Sequence, residues 1–287
     1  GNGGHLWSQR YGDNSNESAL AVALDGSGNI WMTGQFRNSI NFGGSTLSAT
    51  DNQFPDIFLT KLDPNGGHLF SAAYGIGAGY TDVGNALATD GNDNVVMAGV
   101  YQTSIDFGGG VLNAAGGAGD RDMFVVKLDQ NGGQLFARTF GDDTVQEALG
   151  VAVAPSGTVA LVGYSQGDVD FGGGTLTHGG SGARATLAVL DQNGNHVFSR
   201  LYQGAGDARL VSAAFASNGD VVAAGTFRDT IGVEGEAVEA QGGNDDLIAL
   251  RYDGTGTLAY HTRLGSNGVE KVGGVVVDSM GYAWMTG

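Results

Sequence analysis

Five charged residues recur at one point of a repeated segment, just ahead of a short apolar run. Each lies 16 or 17 residues before a recurring glycine: Glu17, Asp82, Glu147, Arg209 and Glu270. If these segments are equivalent strands around an axis, the side chains form an acidic ring at one channel mouth, broken by one arginine. Such a ring would suit a hydrated cation or a polar molecule as ligand. The preferred interpretation is simpler: polar residues solvate the end of a strand.

The second candidate site is a short acidic stretch that begins at Asp90. Calcium loops place carboxylates and carbonyls at alternating positions, as in D-x-D-x-D-G, and Asp90, Asn92 and Asn94 approach that pattern. The corresponding stretches of the other copies lose the acidic residues. We therefore expect a plain turn here and no cofactor, with calcium as the alternative.

Zinc and catalytic chemistry find little support in the sequence. His5, His68 and His196 occupy one repeat position, and equivalent positions of neighbouring repeats are too far apart to share a zinc ion. The chain has no cysteine, so thiolate sites and disulfides are excluded. A complete nucleophile-elbow motif is absent, and thirty acidic residues define no carboxylate pair by sequence alone. We expect no catalytic centre.

A repeated unit must position all of these residues. Glycines close a short apolar run in each copy, spaced by about 63 residues: Gly34, Gly99, Gly163, Gly225 and Gly287. The copies begin near residues 5, 68, 134, 196 and 257. A Phe-Gly-Gly turn recurs at Phe42, Phe107 and Phe171 and is degraded to Val233-Glu234-Gly235 in the fourth copy. This fixed period indicates a single repeat array over residues 1–287.

Each unit reads as two β-hairpins, because apolar runs of strand length are joined by turns rich in Asp, Asn and Gly. We call the four strands A to D. Small residues two apart on strand A, such as Ala21 and Ala23, suit crowding near an axis. The sequence therefore predicts an all-β fold: a β-propeller of four-stranded antiparallel blades, with four complete blades and partial blades at both ends. A parallel β-helix is the rival, but its coils are shorter.

Composition excludes several function classes. Thirty acidic against thirteen basic residues give a formal charge of −17, which disfavours nucleic acid and anionic membranes as partners. Fifty-three glycines show no three-residue period, so a collagen-like chain is excluded and many tight turns are indicated. No apolar run is long enough to span a bilayer.

The pattern HLFSAAYG…ALATDGNDNVVMAGVY…DFGGG…DMFVVKLDQNG resembles the bacterial SBBP β-propeller repeat over essentially the whole chain. Two departures stand out: Arg184 replaces the aspartate that precedes strand C in the other copies, and FGGG becomes VEGE in the fourth copy. The resemblance implies a propeller in a secreted or cell-surface protein of myxobacteria and similar organisms, often a lipoprotein. It implies no enzymatic activity.

Two function classes remain open. The favoured hypothesis is a non-enzymatic extracellular or cell-surface module that binds protein or glycan partners. Any lipid anchor would be supplied by a segment outside residues 1–287. The alternative is a carbohydrate-active propeller, a lectin rather than a glycoside hydrolase. The chain supplies one leading D strand, four complete blades and a final A–B hairpin, so we also expect a longer natural chain, because an unfinished hairpin exposes unpaired backbone groups.

Overall fold

The computed structural model describes residues 3–77, 79–117 and 119–287, and its regular structure in these ranges is entirely β. The first set of strands is β1 (Glu17–Leu24), β2 (Ile30–Phe36), β3 (Ser39–Ile40), β4 (Leu47–Ser48), β5 (Asp56–Leu62) and β6 (His68–Tyr74). The second set is β7 (Val83–Thr89), β8 (Val95–Tyr101), β9 (Ser104–Ile105), β10 (Leu112–Asn113), β11 (Asp122–Leu128) and β12 (Gln134–Phe140).

The third set is β13 (Gln146–Val153), β14 (Val159–Ser165), β15 (Arg184–Leu190) and β16 (His196–Leu201). The fourth is β17 (Ala208–Phe215), β18 (Val221–Phe227), β19 (Thr230–Val233), β20 (Glu236–Glu239), β21 (Asp246–Tyr252) and β22 (Leu258–Leu264). A last hairpin comprises β23 (Gly274–Val277) and β24 (Ala283–Thr286).

These strands form four antiparallel four-stranded sheets, which we number 1 to 4. Their orders are β1-β2-β5-β6, β7-β8-β11-β12, β13-β14-β15-β16 and β17-β18-β21-β22, which are strands A to D in sequence. The all-β, four-stranded antiparallel prediction is confirmed. Strands A and C run parallel, so the A–B and C–D turns share one end of each sheet, the turn end. The D–A and B–C connections share the opposite end, the loop end.

The recurring glycine has a backbone cause. Strand A of every sheet carries a β-bulge beside it, as between Gly84 and Ala86, where the partner strand contributes Gly99 and Ala98. A Cβ atom on Gly99 would collide with the carbonyl oxygen of Val83, and the equivalent glycines of the other sheets meet the equivalent carbonyl. Glycine at this position therefore lets two backbones approach closely at the bulge.

Successive sheets pack through their A strands and across their faces. β1 contacts β7, β7 contacts β13, β13 contacts β17, and β17 contacts β23. The aromatic residues that end strand B in three of the sheets, Phe36, Tyr101 and Phe227, are fully buried. By contrast Val22, at the position of buried Leu87, is 64% exposed. No strand pairing described here joins the first sheet to the last hairpin.

The phenylalanine of the Phe-Gly-Gly turn joins neighbouring sheets. The ring of Phe107 lies 5.1 Å from that of Tyr74, at the end of strand D of sheet 1, and 5.0 Å from that of Phe124 on strand C of its own sheet. Phe171 packs on Phe140 in the same way, at 4.9 Å. These tilted ring pairs make the turn a contact between sheets.

The segment 5–12, which the sequence predicts to be strand-like, forms no regular strand. Its aromatic residues nevertheless hold the positions of a strand D. Trp7 packs against Gly66 as Phe70 packs against Gly132, and its indole Nε1 donates to the carbonyl of Pro64 at 2.9 Å. Tyr11 lies 4.9 Å from Phe42. Within the described residues this segment has no strand-C partner, whereas every strand D of sheets 1 to 4 pairs with a strand C.

Candidate functional site

The five charged residues ahead of strand A occupy two registers. Glu17 pairs with Phe36 in sheet 1, but the residue at the matching position of sheet 3 is Gln146, which pairs with Ser165. Glu147 lies one residue further, as does Arg209. Because neighbouring strand residues point to opposite faces, the five side chains cannot line one ring in the way their near-common spacing predicts.

Asp82 of this set is a buried acid between sheets 1 and 2. Its side chain is 2% exposed, and its Oδ1 accepts a hydrogen bond from the backbone N–H of Gln102 at 2.9 Å. Its own N–H donates to the carbonyl of Pro55 at 3.0 Å. Burial raises the pKa of Asp82 to about 7, and the negative charge of Asp56 adds to the shift. Asp82 therefore titrates near neutral pH inside the fold.

Glu147 and Arg209 are brought together by a tyrosine that sequence reasoning missed. The Tyr164 hydroxyl donates to Oε2 of Glu147 at 3.0 Å, and the Arg209 guanidinium lies 4.5 Å from the centre of the Tyr164 ring. Asn85 of sheet 2 donates to Oε1 of Glu147 at 3.1 Å. Burial raises the pKa of Tyr164 to about 12, and Glu147 contributes. This network joins the A strands of three sheets.

The remaining two members lie apart from the others, Glu17 at the start of β1 and Glu270 in the connection between β22 and β23. The Glu17 carboxylate lies against Gly12, and its pKa is raised by burial and by the negative charge of Asp13. Glu270 accepts a hydrogen bond from the Ser266 hydroxyl at 2.8 Å, and its N–H donates to the carbonyl of Asp245. The structure thus divides the five residues into one buried acid, one network that contains two of them, and two separate acids.

The Asp90 turn does not suit calcium. Oδ1 of Asp90 accepts the N–H groups of Asn92 and Asn94 at 2.9 and 3.0 Å, and Oδ2 accepts the Asn94 amide at 2.9 Å. The ammonium of Lys127 lies 2.7 Å from Oδ2. Burial works to raise the pKa of Asp90, but the bonds from Lys127 and Asn94 outweigh it and the pKa is lowered. The carboxylate is held by an internal cation, which leaves no place for a second one.

This buried ion pair recurs at the turn end. Lys61 lies 3.0 Å from Asp25, and both side chains are almost fully buried. In sheet 4 the pair is Arg251 and Asp220, at 2.9 Å. Sequence reasoning missed these pairs, although a basic residue recurs on strand C at the same distance from the following turn. Two of the cations also reach the next sheet or hairpin, since Lys61 donates to the carbonyl of Gln130 at 3.4 Å and Arg251 to that of Gly281 at 2.8 Å.

A second set of buried carboxyls holds the B–C connections at the loop end. Asp56, the first residue of strand C, accepts the N–H and the hydroxyl of Thr50 at 2.7 and 3.0 Å. Burial raises its pKa. Arg184 replaces this aspartate in sheet 3 and donates to the carbonyl of Gly206 at 2.8 Å. Asp56 and Arg184 therefore hold the connections at the loop end in place through these hydrogen bonds.

The described residues contain neither a metal-binding cluster nor a membrane-spanning helix. In residues 3–77, 79–117 and 119–287, no group of three or more His, Asp or Glu side chains is placed to hold a metal ion. The same ranges contain no helix of the length and apolarity that crossing a membrane requires.

Comparison with known proteins gives distant similarities. No family model matches the chain. An uncharacterized WD repeat-containing protein of Acanthamoeba polyphaga mimivirus is 24% identical over 167 residues, covering 52% of this chain and 12% of that protein. The chain therefore matches only a small part of this relative's length.

Two solved structures are similar at lower identity. A protein of unknown function from Bacteroides caccae matches with 12% identity and a TM-score of 0.35, covering 86% of this chain and 81% of its own. Sqt1 from Chaetomium thermophilum matches with 16% identity and a TM-score of 0.33, covering 93% of this chain and 76% of its own.

Proposed function

We propose that the chain is a β-propeller that acts as a non-enzymatic binding or scaffold module for protein partners. The four consecutive antiparallel sheets, joined through their A strands, support the propeller arrangement. The similarity to a WD repeat-containing protein supports it independently. The resemblance to the SBBP repeat supports a secreted or cell-surface location for the protein that carries this module.

The observation that carries the proposal is a row of contacts at the turn end, one between each sheet and the next, which we call junctions and number in chain order. At each junction, strands C and D of one sheet meet the turns of the next, so one contact geometry is repeated with different side chains. Arg138 and Arg200 on strand D show this, donating to the equivalent turn carbonyls of Gly194 and Gly256 at 3.0 and 2.8 Å. A rigid frame that presents variable side chains at repeated positions is typical of repeat proteins that bind other proteins.

The charge of the chain defines the kind of partner. A formal charge of −17 favours basic protein surfaces by electrostatic steering and complementarity. A photo-crosslinking amino acid placed at the exposed position Ser156 in the turn end should capture such a partner. Reconstitution with the purified partner should then give saturable binding, weakened by added salt. Fractionation of the source cells should place the full protein in the secreted or surface fraction.

Catalysis or glycan recognition would contradict this proposal. Hydrolysis of a common glycoside or ester, abolished by one carboxylate substitution that leaves thermal stability intact, would show an enzyme. Saturable binding on a glycan array without a protein partner would favour the lectin alternative. A matched Asp82→Asn variant should bind the partner like the wild type, because Asp82 lies at the loop end and is 2% exposed.

A further inference from the structure

The third junction, between sheets 3 and 4, lacks the ion pair of its neighbours. Its strand-C position, held by Lys61, Lys127 and Arg251 in the other sheets, is Val189. The position of Asp25 and Asp90 is Ala154. Both partners are absent together, which agrees with the high cost of burying either charge alone.

The missing side chains leave a cavity of about 220 Å³, which we call the third groove. Its apolar wall includes Val189, Phe198 and Val221, and its lining also contains Asp191 and Asp253. The turn residue Gly254 lines the mouth where the other sheets carry Gln130 and Gln192. The groove is therefore enlarged at three repeat positions, by Val189, Ala154 and Gly254.

Hydrogen-bond acceptors for a cation remain around the groove. Asp253 uses its Oδ1 to accept from the N–H groups of Thr255 and Thr257, both at 2.9 Å. Asp191 accepts from two backbone N–H groups in the same manner. The hydrogen bonds from Asn195 to Asp191, and those from the Thr255 hydroxyl and the backbone to Asp253, lower the pKa of both carboxyls and keep them anionic at neutral pH. The carbonyl of Gly254 occupies the position of the Gln130 carbonyl that accepts from Lys61.

One cation already lies near the groove. The Arg200 guanidinium is 5.7 Å from the centre of the Phe198 ring, but it is paired with Glu234 at 2.7 Å and donates to the carbonyl of Gly256 at 2.8 Å. At the second junction, Arg138 makes the equivalent contacts with Phe136 and a turn carbonyl while Lys127 is also present. A lysine ammonium can therefore occupy the third groove while Arg200 keeps its contacts.

We propose that the third groove receives the alkylammonium side chain of a lysine presented by the partner protein. The lysine supplies from outside the group that Lys61 and Lys127 supply within sheets 1 and 2. Its methylene chain lies along Val189 and Phe198, and its ammonium is held by Asp191, Asp253 and the Gly254 carbonyl. This proposal rests on the proposed function as a protein-binding module.

Methyl and amide NMR of the whole chain tests the proposal with three probes: n-butylammonium, n-butanol and the blocked tripeptide acetyl-Gly-Lys-Gly-amide. We expect saturable shifts of Val189 and Val221 with n-butylammonium, with a dissociation constant on the order of 1 mM. n-Butanol should bind at least about tenfold more weakly because it lacks the charge. The tripeptide should bind at least as tightly as n-butylammonium. A tripeptide about tenfold weaker than n-butylammonium would exclude a protein lysine as the occupant.

Two variants restore the features of the other junctions. The double variant Ala154→Asp/Val189→Lys rebuilds the internal ion pair and should abolish binding. Gly254→Gln changes only the turn, by introducing the residue found in sheets 2 and 3, and should weaken binding about tenfold or more. Unchanged affinity in Gly254→Gln, or shifts scattered over the acidic surface in the wild type, would overturn the proposal. Retained partner binding together with no probe binding in the groove would refute this inference alone. Probe binding in the groove together with no protein partner captured by the crosslinker would refute the proposed function.

Discussion

Replacing Asp82 by asparagine should stabilise the protein in a pH-dependent way. Burial raises the pKa of this carboxyl from its ordinary value of 3.8 to about 7. A difference of about 3 pH units corresponds to about 4 kcal/mol between the protonated and ionised forms. The folded state therefore holds the proton more tightly than the unfolded state between about pH 4 and pH 7, and Asp82 lowers the free energy of unfolding as the pH rises through that window.

Asparagine keeps an oxygen for the N–H of Gln102 but carries no charge to be buried. The variant and the wild type should be equally stable near pH 4. Above pH 7 the variant should be more stable, by up to about 4 kcal/mol. Urea denaturation at pH 4.5, 6 and 8 measures the difference as a displacement of the midpoint at constant slope.

The matched control is Asp143→Asn, which changes an exposed aspartate. It should alter the free energy of unfolding by less than about 0.5 kcal/mol at every pH. A gain for Asp82→Asn that is the same at pH 4.5 and pH 8 would refute the reasoning, because the effect could not arise from burial of a charge. A less stable variant at pH 8 would also refute it.

Three further outcomes are expected. Phe107→Ala should cost about 3–5 kcal/mol of unfolding free energy, since the ring packs on Tyr74 of the neighbouring sheet. Lys127→Met should cost about 3–5 kcal/mol by leaving the Asp90 carboxylate buried without its cation, whereas Lys127→Met/Asp90→Ala should recover most of that loss. Calcium at about 1 mM should leave the melting temperature within about 1 °C of its value in a chelator.

Each of these outcomes has a control or a contrary result. Phe54→Ala, at a phenylalanine that is 38% exposed, should cost far less than Phe107→Ala, and equal costs would contradict the inter-sheet role of Phe107. A double variant as unstable as Lys127→Met would show that Asp90 is not penalised by its missing partner. A calcium-dependent rise in melting temperature that Asp90→Asn removes would restore the calcium interpretation.

The repeat made most of the fold predictable. Strands β6, β12 and β16 begin at His68, Gln134 and His196, the positions at which the sequence copies begin. The recurring glycines were recognised as signposts, but their cause, the collision of a Cβ atom with a carbonyl at the bulge, appears only when both strands are paired. The later copies predict a strand over residues 5–12, but this segment has no strand-C partner within the described residues and forms no regular strand.

The candidate site was less predictable, because its contacts join residues far apart in sequence. A shift of one residue separates the register of Glu147 from that of Asp82, and spacing to a glycine cannot show which face a side chain takes. The pair of Asp25 and Lys61 bridges an entire hairpin and connection. Asp90 fits a calcium pattern locally, yet its partner Lys127 lies on another strand.

Conversion of the second junction into a copy of the third tests the binding surface most directly. The triple variant Asp90→Ala/Lys127→Val/Gln192→Gly gives the second junction the residue types found at Ala154, Val189 and Gly254. Titration with acetyl-Gly-Lys-Gly-amide should then show a second saturable set of methyl shifts at Leu135, beside the set at Val189. No shift at Leu135 in a variant that remains folded would contradict the account, because the three exchanged positions are those to which it attributes the groove, and Asp129 and Asp191 supply the carboxylates at the second junction.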